Sequence, residues 1–224
     1  MRELEVRDLG RMEYGRAWEV QKELSERRKR GEIRDQLLFV EHPHVLTLGR
    51  NGRMENLLAT PEHLAEMGVD LFEINRGGDI TYHGPGQIVG YPIIDLREWK
   101  KDVVAYVRGL EEVVIRTLRS FGIESGRDPS ATGVWIEGAK ICAIGVHISR
   151  WVTTHGFALN WKTDLKYFNY IVPCGLTRPV TSMWKLGARV ERPAVVNVLL
   201  HAFAEVFEYQ TARLTAPAGR VAQL

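Results

Sequence analysis

Apolar and polar positions in this chain follow two different periods, and the switches between them mark its elements. Tyr14, Trp18, Gln21 and Leu24 sketch one face of an amphipathic helix over residues 12–30. It closes in Arg27-Arg28-Lys29-Arg30-Gly31, cations followed by glycine, as a helix C-terminus favours. Short apolar runs at 36–40 and 45–49 read as strands around His42-Pro43-His44, and 70–75 and 88–94 read as two more. A stronger helix follows, with Val103, Val107, Leu110, Val114, Leu118 and Phe121 at helical spacing and Gly122 just past its end. Residues 133–144 read as two strands around Glu137-Gly138, a hairpin signal, and 156–161 as another strand. Pro193 opens a last helix carrying Val195, Val198, Leu199, Ala202, Phe203 and Val206. The pattern predicts an α+β fold, a mixed or antiparallel sheet flanked by helices. It forms one domain over residues 1–212. The stretch after Val180 is expected as a small helical cap, and residues from 211 on lack any period, so 213–224 is expected as a flexible tail.

Composition changes this picture little. A net charge of +2 on 224 residues gives no argument for nucleic acid. No run approaches the roughly 18 apolar residues that span a bilayer, and the start resembles no signal peptide. With two cysteines and no export signal, a reducing cytoplasm is the expectation. The basic run at 27–30 reads as a solvated helix end or as a docking patch for an acidic partner.

Chemistry concentrates in a few segments. Cys174 sits between Pro173 and Gly175, on a turn where a thiol is accessible and needs an activating cation. The stretch Arg76-Gly77-Gly78-Asp79-Ile80-Thr81-Tyr82-His83-Gly84-Pro85-Gly86-Gln87 removes Cβ atoms where backbone passes close to a ligand or turns sharply. It is neither a dinucleotide fingerprint nor a P-loop. Lys140 lies in a strand-like run whose period of two puts it on one face with Cys142, Ile144 and Val146. Apolar neighbours there lower an ammonium's proton affinity toward that of a general base, and an edge-strand lysine that deters aggregation is the alternative. Cys142 reads as a small core residue. His155-Gly156-Phe157-Ala158-Leu159-Asn160 is a third site-like segment. The histidines and cysteines have no metal-ligand spacing, so no metal and no cofactor are expected. A Cys-His hydrolase pairing Cys174 with His83 or His155 stays open.

Arg76-Gly77-Gly78 with Tyr82 to Gln87, then Gly138-Ala139-Lys140-Ile141, then His155-Gly156 with Asn160, then Pro173-Cys174-Gly175 together resemble the lipoyl(octanoyl) transferases. The motifs span about half the chain in the expected order. The resemblance implies a fold similar to the catalytic domain of biotin and lipoate protein ligases. It implies transfer of octanoyl from octanoyl-acyl carrier protein, in lipoate biosynthesis, through a thioester on Cys174 with Lys140 beside it. The acceptors it implies are the target lysines of lipoyl domains, in the E2 subunits of 2-oxoacid dehydrogenases and in the glycine cleavage H protein. It maps acyl binding to Arg76, Gly77, Gly78, Asp79, Ile80, Thr81, Tyr82 and His83, to Ala143, Ile144 and Gly145, and to His155, Gly156, Phe157 and Ala158. One departure is His147, where many relatives carry arginine; it bears on carrier-protein contact there. The alternatives are an ATP-dependent lipoate-protein ligase of the same fold and a noncatalytic acyl- or lipoyl-binding module. Such ligases carry a longer glycine run with His-Asp in place of His83-Gly84-Pro85-Gly86 and use no cysteine nucleophile.

Overall fold

Segments with a period of two build a sheet, and segments of helical period cover it, in the computed structural model, which describes residues 2–172 and 178–215. The strands are β1 (Glu3–Arg11), β2 (Asp35–Glu41), β3 (Val45–Leu48), β4 (Asp70–Glu73), β5 (Ile80–His83), β6 (Gln87–Ile93), β7 (Gly126–Asp128), β8 (Ala131–Ile136), β9 (Ala139–Ser149), β10 (Val152–Asn160) and β11 (Thr211–Thr215). The helices are α1 (Tyr14–Lys29), α2 (Pro61–Glu66), α3 (Val103–Arg119) and α4 (Arg192–Val206). Among the described residues the main sheet has the order β11-β1-β2-β6-β10-β9-β8-β7, and a smaller one the order β4-β3-β5. β11, β1 and β2 run parallel, and every other neighbour pair in the main sheet is antiparallel.

The strand period decides what each face of the main sheet buries. Along β2, Leu37 and Phe39 join one core with α3 and α4, while Leu38 and Val40 join another with Ala17 and Leu24 of α1. Asp102 caps α3 by accepting the Ala105 N–H at 3.0 Å, and Gly122 takes a positive φ past its end. Val103 is 45 % exposed, so the buried stripe of α3 starts at Tyr106 and continues through Leu110, Val114 and Leu118. The hairpin signal is realised by Glu137 at φ 48° and Gly138 at φ 81°, the two positive angles that a type I′ turn demands.

Several expectations need correction. Val195, Leu199 and Phe203 of α4 share one core with Leu110 and Val114 of α3, so the region after Val180 is part of the main body and not a cap. Thr211 to Thr215 pairs with Glu3 to Arg7 as a parallel strand, which carries the fold past residue 212. Backbone pairing of this kind leaves no trace in composition; residues 216–224 lie outside the described residues. The basic run is only partly solvated, with Arg30 exposed, Arg27 partly exposed and Arg28 drawn inside. Arg28 is buried against Asp35 at 2.8 Å and Glu98 at 2.6 Å, Lys29 pairs with Glu26, and Arg27 and Arg30 pair with Glu32. No helix among the described residues is long and apolar enough to cross a membrane.

Candidate active site

The glycine-rich loop leaves the small sheet and comes down on the main sheet. The Gly77 N–H donates to Val146 O of β9 at 2.9 Å. A Cβ on Gly145 would stand 2.9 Å from Gly77 O and 3.0 Å from Arg76 Cδ, so only glycine lets loop and strand approach this closely. Arg76 is buried, and its guanidinium donates to Thr47 O at 2.6 Å, Thr47 Oγ1 at 2.9 Å and Gly77 O at 3.1 Å. Asp79 fixes the other side of the loop, accepting from the Arg53 and Ile80 N–H groups and from the Asn56 amide. Asn56 O in turn accepts the Val172 N–H at 2.8 Å, so this loop also holds the chain that leads into Pro173-Cys174. Cys174 itself lies outside the described residues.

Buried histidines line this region, and their partners define their tautomers. Gln87 Nε2 donates to Tyr82 O at 3.2 Å and Asn160 Oδ1 at 3.0 Å, so Gln87 Oε1 accepts, at 2.8 Å, the proton on His83 Nδ1. Asn160 Nδ2 continues the network to Thr181 O at 3.0 Å, and the Thr181 N–H donates to Lys140 O at 3.0 Å. His155 sits at φ 58°, an uncommon left-handed position for a side chain of its size. Two bonds hold it there: its N–H donates to Gln21 Oε1 and its Nε2–H to Asn75 Oδ1, each at 2.8 Å. Burial pushes His83 and His155 down to about 3 and His42 to about 4, so all three are neutral at pH 7. Burial also holds the Tyr14 and Tyr91 hydroxyls protonated.

Lys140 owes its direction to an irregularity. Val134 pairs with Cys142 and Trp135 with Lys140, so β9 carries one extra residue, Ile141, opposite β8. Such a bulge interrupts the period of two and re-aims a side chain. Ile141 and Cys142 both enter the core under α3, whereas Lys140 lines a cavity. The expectation that Lys140 and Cys142 share a face fails at this bulge. The chain returning from the Cys174 segment brackets the lysine: its N–H donates to Pro179 O at 2.9 Å, and its carbonyl takes the Thr181 N–H.

The cavity has a volume of ≈ 510 Å³ and lies between the glycine-rich loop, β5, β6, β9 and β10. It gathers Arg76, Gly77, Gly78, Asp79, Ile80, Thr81 and His83 with Lys140, Ala143, Ile144, Gly145, His155, Gly156, Phe157 and Ala158. Tyr82 is not among its lining residues: its ring stacks on Tyr167 at 5.1 Å and its hydroxyl meets His44 Nδ1 at 2.8 Å. Among the described residues no group of three or more His, Cys, Asp or Glu side chains could hold a metal ion.

Residues 13–204 match the family described as the lipoyl protein ligase A/B catalytic domain. The chain belongs to this family. An octanoyltransferase of Solibacter usitatus is 58% identical over 210 residues, covering 94% of this chain and 96% of that one. An octanoyltransferase of Koribacter versatilis is 50% identical over 214 residues, covering 92% and 85%. A lipoate protein ligase from Thermoplasma acidophilum, described as putative and solved with bound lipoic acid, superposes with a TM-score of 0.77 at 17% identity, over 97% of this chain and 90% of that one. The biotin protein ligase of Aquifex aeolicus superposes with a TM-score of 0.54 at 10% identity, over 93% and 70%. At such identities the likeness is one of fold, and it bears out the ligase-like architecture that the motifs implied.

In this lipoyl protein ligase A/B domain the cavity also takes Tyr14, Gln87, Val89, Tyr91 and Asn160, which the sequence reading did not select as site residues. Gln87 and Asn160 stand inside the motifs of the glycine-rich loop and of β10, a sequence signal that marks their amides. Tyr14 belongs to a helix face and Tyr91 to a strand of apolar period. Only packing across α1, β5 and β6 brings them to the site, where Tyr14 stacks on His83 with ring centroids 5.9 Å apart.

Proposed function

We propose that this chain is an octanoyltransferase. It moves an octanoyl group from the thioester of acyl carrier protein to a target lysine of a lipoyl domain, through a thioester on Cys174. The observation that carries the reading is Lys140, on the wall of a mostly apolar cavity with its peptide bonded to Pro179 and Thr181, just after the Cys174 segment in the chain. The 58% identity to an octanoyltransferase over nearly the whole chain supports it. The cavity volume of ≈ 510 Å³ falls in the range of about 300–1,000 Å³ common for small-molecule sites.

In the first half-reaction Lys140 Nζ takes the proton of the Cys174 thiol, and the ammonium so formed stabilises the thiolate. The thiolate attacks the donor carbonyl, the carrier's C–S bond breaks, and the departing carrier thiolate takes the proton from Lys140. Thioester replaces thioester, so this step is nearly balanced. In the second half-reaction the acceptor amine attacks the Cys174 thioester, Lys140 accepts the amine's proton, and the Cys174 sulfur leaves. Amide formation from a thioester runs downhill and drives the cycle. The neutral histidines and the His83-Gln87-Asn160-Thr181 network hold the cavity wall and exchange no proton with the acyl group. The acceptors are lipoyl domains of 2-oxoacid dehydrogenase E2 subunits and the glycine cleavage H protein, in a reducing cytoplasm.

A two-donor assay tests the reading against an ATP-dependent ligase of the same fold. Octanoyl thioester of the carrier, without ATP, should octanoylate a lipoyl domain with parallel-line, ping-pong kinetics. Turnover only with free octanoate or lipoate plus ATP would make the chain a ligase. Binding without turnover in either assay would leave a noncatalytic module.

A further inference from the structure

We propose that Trp135 is a positioning residue for Lys140, a role that rests on the transferase reading above. Trp135 and Lys140 are register partners across β8 and β9, next to the Ile141 bulge. Lys140 Nζ stands 4.7 Å from the centroid of the Trp135 ring, within the distance at which an aromatic face attracts a cation. The ring itself is fixed. It is buried, and its Nε1–H donates to Ala131 O at 3.1 Å. The Arg178 guanidinium packs 5.1 Å from the same ring and is tied to Asp128 Oδ2 at 2.5 Å and Ser130 Oγ at 3.1 Å.

The stem of the lysine is guided as well. Gly133 stands below it at φ 131°, and a Cβ there would lie 2.6 Å from Cys142 O and 3.5 Å from Lys140 Cε. The Gly133 N–H donates at 3.1 Å to Glu111 Oε1, a buried carboxylate that Arg108 and Arg127 balance. On β8, therefore, the missing side chain of Gly133 leaves room for the lysine's carbons and Trp135 sets an aromatic wall at its nitrogen. A free lysine spreads over many rotamers, and a base must stand within hydrogen-bond reach of the proton it takes. The indole face holds Nζ once it carries the thiol's proton, and the ion pair of Arg178 with Asp128 keeps that face in place. The second proton transfer, from the acceptor amine, needs the same placement, so Trp135 serves both half-reactions through Lys140 and touches neither substrate.

A double-mutant cycle on the full chain tests this, with transfer from octanoyl-carrier protein to a lipoyl domain as the readout. Trp135→Leu should lower kcat by about 10- to 100-fold, the scale set by a misplacement of about 1 Å, with the donor KM held within about twofold. Trp135→Phe should recover most of the loss, because a phenyl face still attracts the ammonium. In a Lys140→Ala background, Trp135→Leu should cost no more than about twofold further, since the residue it positions is gone. An equal loss of kcat with and without Lys140 would overturn the proposal, and so would an unchanged kcat in Trp135→Leu alone. If Trp135→Leu does not fold, Arg178→Met replaces it in the cycle under the same criteria. Should Lys140→Ala by itself leave kcat unchanged, the transferase reading fails first, whatever Trp135 does.

Discussion

Lys140 and Cys142 stand two residues apart on β9 and meet opposite surroundings. Cys142 is wholly buried under α3, its thiol pushed well above the usual range by burial. A thiol held protonated in an apolar core is inert. Lys140 faces a cavity, beside an indole ring and the backbone of residues 179 and 181. One inserted residue, Ile141, separates the two fates. The contrast extends to the whole sheet. One face is filled by apolar side chains under α3 and α4, whereas toward the glycine-rich loop His155 of β10 meets Arg76 of the loop and His83 of β5 around a space. A strand can thus supply core and cavity-lining groups together, provided its period breaks at the right residue.

The comparison breaks most sharply by substitution at its two poles. Lys140→Ala should lower kcat by about 10²- to 10⁴-fold, the contribution of a placed general base, in steady-state transfer assays. Cys142→Ala should leave kcat/KM within about twofold and cost only about 1 kcal/mol of stability by urea unfolding. Equal losses of activity in the two variants would erase the distinction.

The cavity face should also be the acid-sensitive one. His155 titrates near 6.5 when unfolded and at about 3 when folded. Between these values the unfolded chain binds the proton and the native chain does not, so stability falls as pH drops below 6.5. The loss by pH 5 amounts to about 2 kcal/mol per such histidine, with His83 and His42 acting in the same direction. Urea unfolding at pH 8 and pH 5 measures it. His155→Asn, which keeps a residue tolerant of left-handed φ, should remove one histidine's share of the fall.

Much of this was legible in the sequence and some was not, for identifiable reasons. The α3 stripe and the Glu137-Gly138 turn follow from local chemistry, spacing in one case and backbone angles in the other. The motif segments at 76–83, 138–141 and 155–160 converge on one cavity because each brings its own glycine or turn. β1 was not foreseen, since Leu4 and Val6 are its buried apolar residues and its pairing with β2 and β11 is a backbone matter. The Ile141 bulge was equally hidden, because an inserted apolar residue in an apolar strand looks like its neighbours. Tyr14 and Tyr91 needed the packing of α1 against β6 to acquire a role.

Two smaller effects sharpen the picture of the cavity wall. Gly145→Ala brings a Cβ to 2.9 Å from Gly77 O, so the loop must retreat from β9. A loss of about tenfold in kcat/KM, with the fold kept by circular dichroism, is the expected result. Shortening the acyl group should cost about fourfold in kcat/KM per methylene removed, the equivalent of about 0.8 kcal/mol of apolar burial. A flat response from octanoyl to butanoyl would mean that the chain lies outside the cavity.

In the proposed transfer the acyl group rests on Cys174 while Cys142 stays a core residue. Intact-mass measurement after mixing with octanoyl-carrier protein, followed by peptide mapping, reads it directly. The expected result is one octanoyl group, bound as a thioester on Cys174, discharged on adding a lipoyl domain and absent in Cys174→Ala. An adduct on Cys142, or undiminished transfer by Cys174→Ala, would contradict it.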